Sequence, residues 1–171
     1  MDKTLLNNLN RLEAVLTQSV ERQEQMLSLL ERKRVALRSG ADRDMTDLTR
    51  SENAVLQTIS ELEKQRLTLV AELTRAVDPG AAEPMRMREL AERLPEPFRG
   101  RLLVTRTKLV EAITAVAAET SVVKRASESL VQHVNGLIRT IGVVSNGGAA
   151  YGQTGRVDTR SARVGSLNLV A

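Results

Sequence analysis

Few side chains in this sequence have the type and spacing that chemistry needs. Ser129 and His133 stand four residues apart, so a helix brings them to one face. A nucleophilic pair also needs a third group to orient the imidazole and free N–H groups to hold an oxyanion, and a continuous helix offers neither. Glu61 with Glu63, and Asp42 with Asp44, are carboxylate pairs without an apolar pocket to drive their pKa values apart, so they read as solvated or capping groups. Gly147, Gly148 and Gly152 lie in a Gly-rich stretch, but no Gly-Lys-Ser/Thr follows and no strand pattern precedes it. His133 is the only histidine and cysteine is absent, which excludes a disulfide framework, a thiolate site and a histidine-rich metal cluster. No catalytic residue, metal site or cofactor is expected, and the chain does not read as an enzyme.

The aromatic residues point elsewhere. The chain has 171 residues but one Phe, one Tyr and no Trp. Phe98 follows Pro97 and reads as a packing residue at the start of a helix. Tyr151 falls in Ala150-Tyr151-Gly152-Gln153-Thr154-Gly155, outside any helical pattern. A lone aromatic in a Gly-rich strip offers much contact area for little ordering cost, the profile of a docking anchor.

The elements that position these residues are helical. A nearly aromatic-free chain lacks what β-sandwiches and barrels build on, whereas 42 % apolar and 27 % charged residues suit long amphipathic helices. Leu5, Leu9, Leu12, Leu16, Met26, Leu30 and Leu37 recur at alternating spacings of four and three once Ser19, Gln23 and Lys33 are counted as polar members of the same seam. That predicts a helix over about 2–38, with Asp2 as cap and Gly40 as stop. A second helix, about 44–76 with Asp44 as cap, carries Met45, Leu48, Val55, Ile59, Leu62, Leu69 and Leu73, plus Glu52 and Arg66. The short connection folds the two into an antiparallel hairpin. Pro79-Gly80 and Pro84 break the pattern, and a short helix is expected at 84–94 with Pro84 in its first turn. A third long helix, 97–145, carries Leu102, Leu109, Ile113, Val116, Val123, Leu130, Val134, Leu137, Ile141 and Val144, with Arg106, Thr120 and Ser127 in the remaining seam positions.

The expected fold is therefore all-α: an elongated, antiparallel, coiled-coil-like three-helix bundle over 1–145, then a disordered tail over 146–171. The tail holds five Gly without helical periodicity. The third long helix exceeds the other two by about ten residues. Its last turns then lack a full set of partners within the chain, and an uncovered apolar stripe is a docking surface or a dimer seam. The residues of that stripe are Leu130, Val134, Leu137, Ile141 and Val144.

Charge narrows the partners. Residues 1–94 carry 15 Lys/Arg and 16 Asp/Glu, residues 95–145 carry 7 and 4, and residues 146–171 carry 3 and 1. This mild, dispersed basicity without interleaved aromatics is not a nucleic-acid footprint, and no nucleic-acid partner is expected. The N-terminal residues form no secretory h-region, and the most apolar stretch, 112–118, is too short to span a bilayer, so membrane insertion is not expected and a cytoplasmic location is.

Four ordered features give the chain a family likeness. They are the hairpin with its break Arg38-Ser39-Gly40-Ala41-Asp42 and the run Leu62-Glu63-Lys64-Gln65-Arg66; the stretch Leu90-Ala91-Glu92-Arg93-Leu94-Pro95-Glu96-Pro97; the helix end Leu130-Val131-Gln132-His133-Val134-Asn135-Gly136-Leu137; and the tail Tyr151-Gly152-x-x-Gly155 with Arg160 and Ser161 beyond it. In these the sequence resembles the FlgN family of flagellar export chaperones over essentially its whole length. It departs midway along the third helix, where Val123-Lys124-Arg125-Ala126-Ser127 stands in place of an Asn followed by paired Leu. The resemblance implies a cytosolic chaperone for hook-associated proteins of the hook–filament junction. Such a chaperone binds their C-terminal helical region, prevents premature assembly and delivers them to the export gate. It also implies client binding by the third helix and docking of the tail, at Tyr151, Gly152 and Gly155, to the export-gate membrane protein. The alternative is a structural or scaffolding coiled-coil bundle, possibly a homodimer.

Overall fold

The structure is a computed structural model that describes residues 3–40 and 42–147. Its ordered elements are four helices: α1 Lys3–Ser39, α2 Asp42–Val77, α3 Met87–Glu92 and α4 Phe98–Gly147. No strand occurs among the described residues, so the described fold is all-α. It divides into two compact units, Met1–Glu128 and Ser129–Ala171, and α4 crosses the boundary.

In the first unit α1 runs without Gly or Pro until Gly40, whose φ of +67° is the left-handed conformation that closes a helix and that glycine adopts without a Cβ clash. The α2 helix starts at Asp42, so Asp44 lies inside the first turn instead of capping it. A carboxylate there still favours the helix dipole. The hairpin core follows the heptad-like spacing. Leu9, Leu12, Leu16, Met26 and Leu30 of α1 are buried, as are Leu48, Val55, Leu62, Leu69 and Leu73 of α2. Two of the polar seam members meet as an ion pair across the hairpin, Lys33 with Glu52.

These apolar residues form two separate clusters. One joins the N-terminal half of α1 to the C-terminal half of α2 and to Met85, Leu90, Ala91 and Leu94 of the connecting segment. The other lies toward the hairpin turn and includes Met26, Leu29, Leu30, Leu48 and Val55. The α4 helix joins both, through Leu102 in the first and Val123 in the second. It therefore runs in the same direction as α1 and antiparallel to α2. Arg101 reaches Glu13 at 3.2 Å and Arg34 reaches Glu119 at 2.8 Å, tying α4 to α1 at two levels. Its backbone stays back, however. Among the described residues no Cα of α4 comes within 8 Å of a Cα of α1 or α2, an approach the hairpin helices do make to each other.

The connection is locked by one buried hydroxyl. Thr74 is 2 % exposed, and its Oγ1 accepts the Met85 N–H at 3.0 Å. That bond holds the chain extended through Arg86, whose ψ is 146°, so the short helix begins at Met87, three residues later than the sequence pattern suggests. It ends at Glu92, before Pro95 and Pro97. Asp78 accepts the Gly80 N–H at 3.2 Å and pairs with Arg93 at 2.7 Å, closing the turn after α2 onto the end of α3. Glu96 then accepts the Gly100 N–H at 3.1 Å, occupying a free donor in the first turn of α4. Phe98 packs beside the first cluster with the Arg101 guanidinium 4.9 Å above its ring.

Candidate functional site

The chemistry-bearing residues are scattered. Ser129 and His133 are both exposed on α4. Glu63 is bound by Arg66 through two hydrogen bonds of 2.7 and 2.6 Å. These bonds hold its carboxyl below the usual range and raise the Arg66 guanidinium above its own, with desolvation opposing both shifts. Asp78 is lowered chiefly by its bond from Arg93 and then by the Gly80 N–H. Each of these shifts comes from a local ion pair near the surface, and among the described residues no enclosed pocket splits two acids for proton transfer. Among the described residues no group of three or more His, Cys, Asp or Glu converges to hold a metal ion.

The apolar stripe of α4 is open to solvent. In the second unit, Leu130, Val134, Leu137 and Ile141 are 43, 44, 50 and 67 % exposed. A helix forms there because the segment has no Pro and its glycines, Gly136 and Gly142, are isolated from each other. The stripe is also wider than the single seam. Val131 and Ile138, seven residues apart, are about 60 % exposed and sit one step round the helix from Leu130 and Leu137. Six side chains at i, i+1, i+4, i+7, i+8 and i+11 make an apolar face of roughly a third of the circumference, the width that packs on another element of structure. Their seven-residue spacing was available in the sequence, where a reading confined to one a/d row passes over it. Between Ser129 and Gly147 the chain contains Arg139 and His133 but no carboxylate, so the flanks of the face are neutral to cationic. Val144 lies in α4, but its side chain is outside the described set, and Tyr151, Gly152 and Gly155 lie outside the described residues.

No helix among the described residues is long and apolar enough to cross a membrane. The fold and surface thus define an all-helical protein, built on a long hairpin, that presents an apolar helix face. Comparison with known families makes this specific: the family model described as FlgN protein matches residues 1–159. The chain belongs to the FlgN family, the flagellar export chaperones, and the general role of a chaperone in flagellar assembly and export comes with that membership. No curated protein and no solved structure matches it.

Proposed function

We propose that the chain is the cytoplasmic chaperone of one or more hook-associated proteins. In this reading Leu130, Val134, Leu137, Ile141 and Val144, widened by Val131 and Ile138, take up an amphipathic helix from the client's C-terminal region. Covering that client helix keeps it from assembling before export. The tail residues Tyr151, Gly152 and Gly155 then dock on the export-gate membrane protein and hand the client over. The α1–α2 hairpin with the first half of α4 forms an antiparallel three-helix bundle.

The observation that carries the reading is the exposed six-residue face of α4 in a family whose members chaperone flagellar export substrates. Helix-in-groove and helix-on-helix docking use this i, i+3/i+4, i+7 pattern of anchors. At about 25 cal/mol per Å², a few hundred Å² of apolar burial supplies useful affinity before ordering costs. The test is gel filtration of the full chain mixed with a hook-associated protein from the same bacterium. A stable co-eluting complex is expected, lost when the client's C-terminal helical region is removed. A stable homodimer that ignores every such client would favour the scaffold reading instead.

A further inference from the structure

Halfway along the first unit the side-chain packing lapses. The two apolar clusters are separate, with Ser19 and Gln23 of α1 in the seam between them, and Arg66 of α2 and Arg106 of α4, polar members of the seam at the edge of the first cluster, line the same space. Polar side chains at seam positions do not interdigitate as Leu does, and the α4 backbone is too far from the hairpin to close the space. A groove of about 410 Å³ results, open to solvent on one side. That volume lies in the range of sites that hold ligands, and its walls are of the same kind, mostly apolar with a few convergent polar groups. Leu16 and Ile59 line it from the hairpin, and Val110 and Ile113 form a ledge on α4 that is nearly half exposed.

The charges in the groove are unequal. Among the described residues Glu63 is the only carboxylate lining it, and it is already held by Arg66. The Arg106 guanidinium has no hydrogen-bond or ion-pair partner among the described residues. A half-buried guanidinium beside an unfilled apolar trough is complementary to a group that brings both a carboxylate and apolar surface. From Arg106 to Ile113 the trough spans roughly 10 Å, two helical turns, which fits two or three side chains of a helix.

We propose that this mid-helix groove is a second peptide-binding site, which takes a short amphipathic helical segment presenting an acidic residue beside two apolar ones. The acid pairs with Arg106, and the apolar side chains settle between Leu16, Ile59 and Ile113. The choice of a peptide as occupant rests on the chaperone reading. The site itself is distinct from the 130–144 stripe, and charge gives it a selectivity that an apolar stripe lacks.

The probe is a fluorescein-labelled helical peptide of about 15 residues, made of Leu and Ala with Glu, Gln or Lys at the apolar boundary, titrated into the full chain by fluorescence anisotropy. The Glu peptide is expected to bind tightest. Arg106→Glu should weaken it about tenfold, the effect of one lost charge-assisted bond, and reverse the preference toward the Lys peptide. Arg106 is partly exposed and unpartnered, so this change leaves the fold intact, as far-UV circular dichroism would verify. Ser19→Leu fills the groove from its α1 wall. It should weaken all three peptides while raising Tm, because it continues the apolar seam.

The proposal is overturned by unchanged binding in Arg106→Glu, by equal binding of the Glu and Gln peptides, or by a Ser19→Leu protein that binds as before. It also fails if the variants change the sedimentation mass, which would make the occupant a second copy. Leu137→Asp separates the two sites: it should leave the probe peptide bound while client capture is lost. If it releases the peptide, the groove is not the site, whereas loss of the groove result alone leaves the stripe reading standing.

Discussion

Replacing Leu137 with Asp separates a binding face from a core position, and the structure sets the size of both effects. Leu137 is 50 % exposed in the free chain. Full burial of a leucine side chain is worth about 1.5–3 kcal/mol, so covering the exposed half gains about 1 kcal/mol on docking. An aspartate forfeits that gain and places a carboxylate under the client helix without a partner, which costs at least about 2 kcal/mol more. The sum, about 3 kcal/mol, corresponds to roughly 100-fold weaker binding. Leu137→Ala loses only the first part and should weaken binding by about fivefold. The free protein should barely register either change. Asp in place of Leu in an exposed helix costs about 0.5 kcal/mol in propensity, a fall of about 1–2 °C in Tm for a chain of this size. Isothermal titration of a hook-associated client against the three proteins, with a thermal melt of each, measures both quantities. A melt lowered by about 8 °C or more would mean that Leu137 is a core residue. Unaltered client affinity at a normal Tm would remove the stripe from the binding mechanism.

Three other outcomes are expected. Thr74→Val keeps the shape but leaves the buried Met85 N–H without its acceptor. It should cost about 1–3 kcal/mol, seen as a Tm lowered by about 2–4 °C per kcal/mol, while Thr74→Ser stays near the parent. Acid should loosen the chain through Asp78 and Glu63, whose pKa values are lowered in the folded state by Arg93 and Arg66. Below about pH 4 the unfolded chain takes up protons before the folded one does, so stability is full at neutral pH and is lost as pH falls through the lowered native values. In urea titrations from pH 7 to pH 3, Asp78→Asn should flatten part of that decline, and an unchanged profile would show that the Arg93 pair does not matter. Tyr151→Ala should leave client affinity intact and reduce secretion of the client into culture medium; a joint loss of both would assign the tail a structural role instead.

Much of the fold was legible because helical periodicity is local. A residue's place on the 3.6-residue cycle decides which face it shares, and this is why Leu9, Leu12, Leu16, Leu62, Leu69 and Leu73 could be placed in the core from spacing alone. Gly40 could be read as a stop for the same kind of reason, since its left-handed φ is a demand on one residue. The start of α3 was not legible. Pro84 looks like a helix start until Thr74, ten residues earlier, is seen to hold Met85 extended. The breadth of the α4 face was partly legible, because Val131 and Ile138 repeat with the heptad but fall beside the row that the spacing rule follows.

The sequence alone determined the helical class, the hydrophobic seams and the family likeness, since each depends on the order of residues within one segment. It also showed Ser19, Gln23, Arg66 and Arg106 as polar interruptions, one helix at a time. Only the tertiary structure decided that these interruptions stand at one level and open a groove, while Lys33 and Glu52 meet and close their own gap. The physical reason is register. How far one helix slides past another depends on the connecting turn, the Thr74 lock and the side chains of all three helices at once, and no local period encodes that sum.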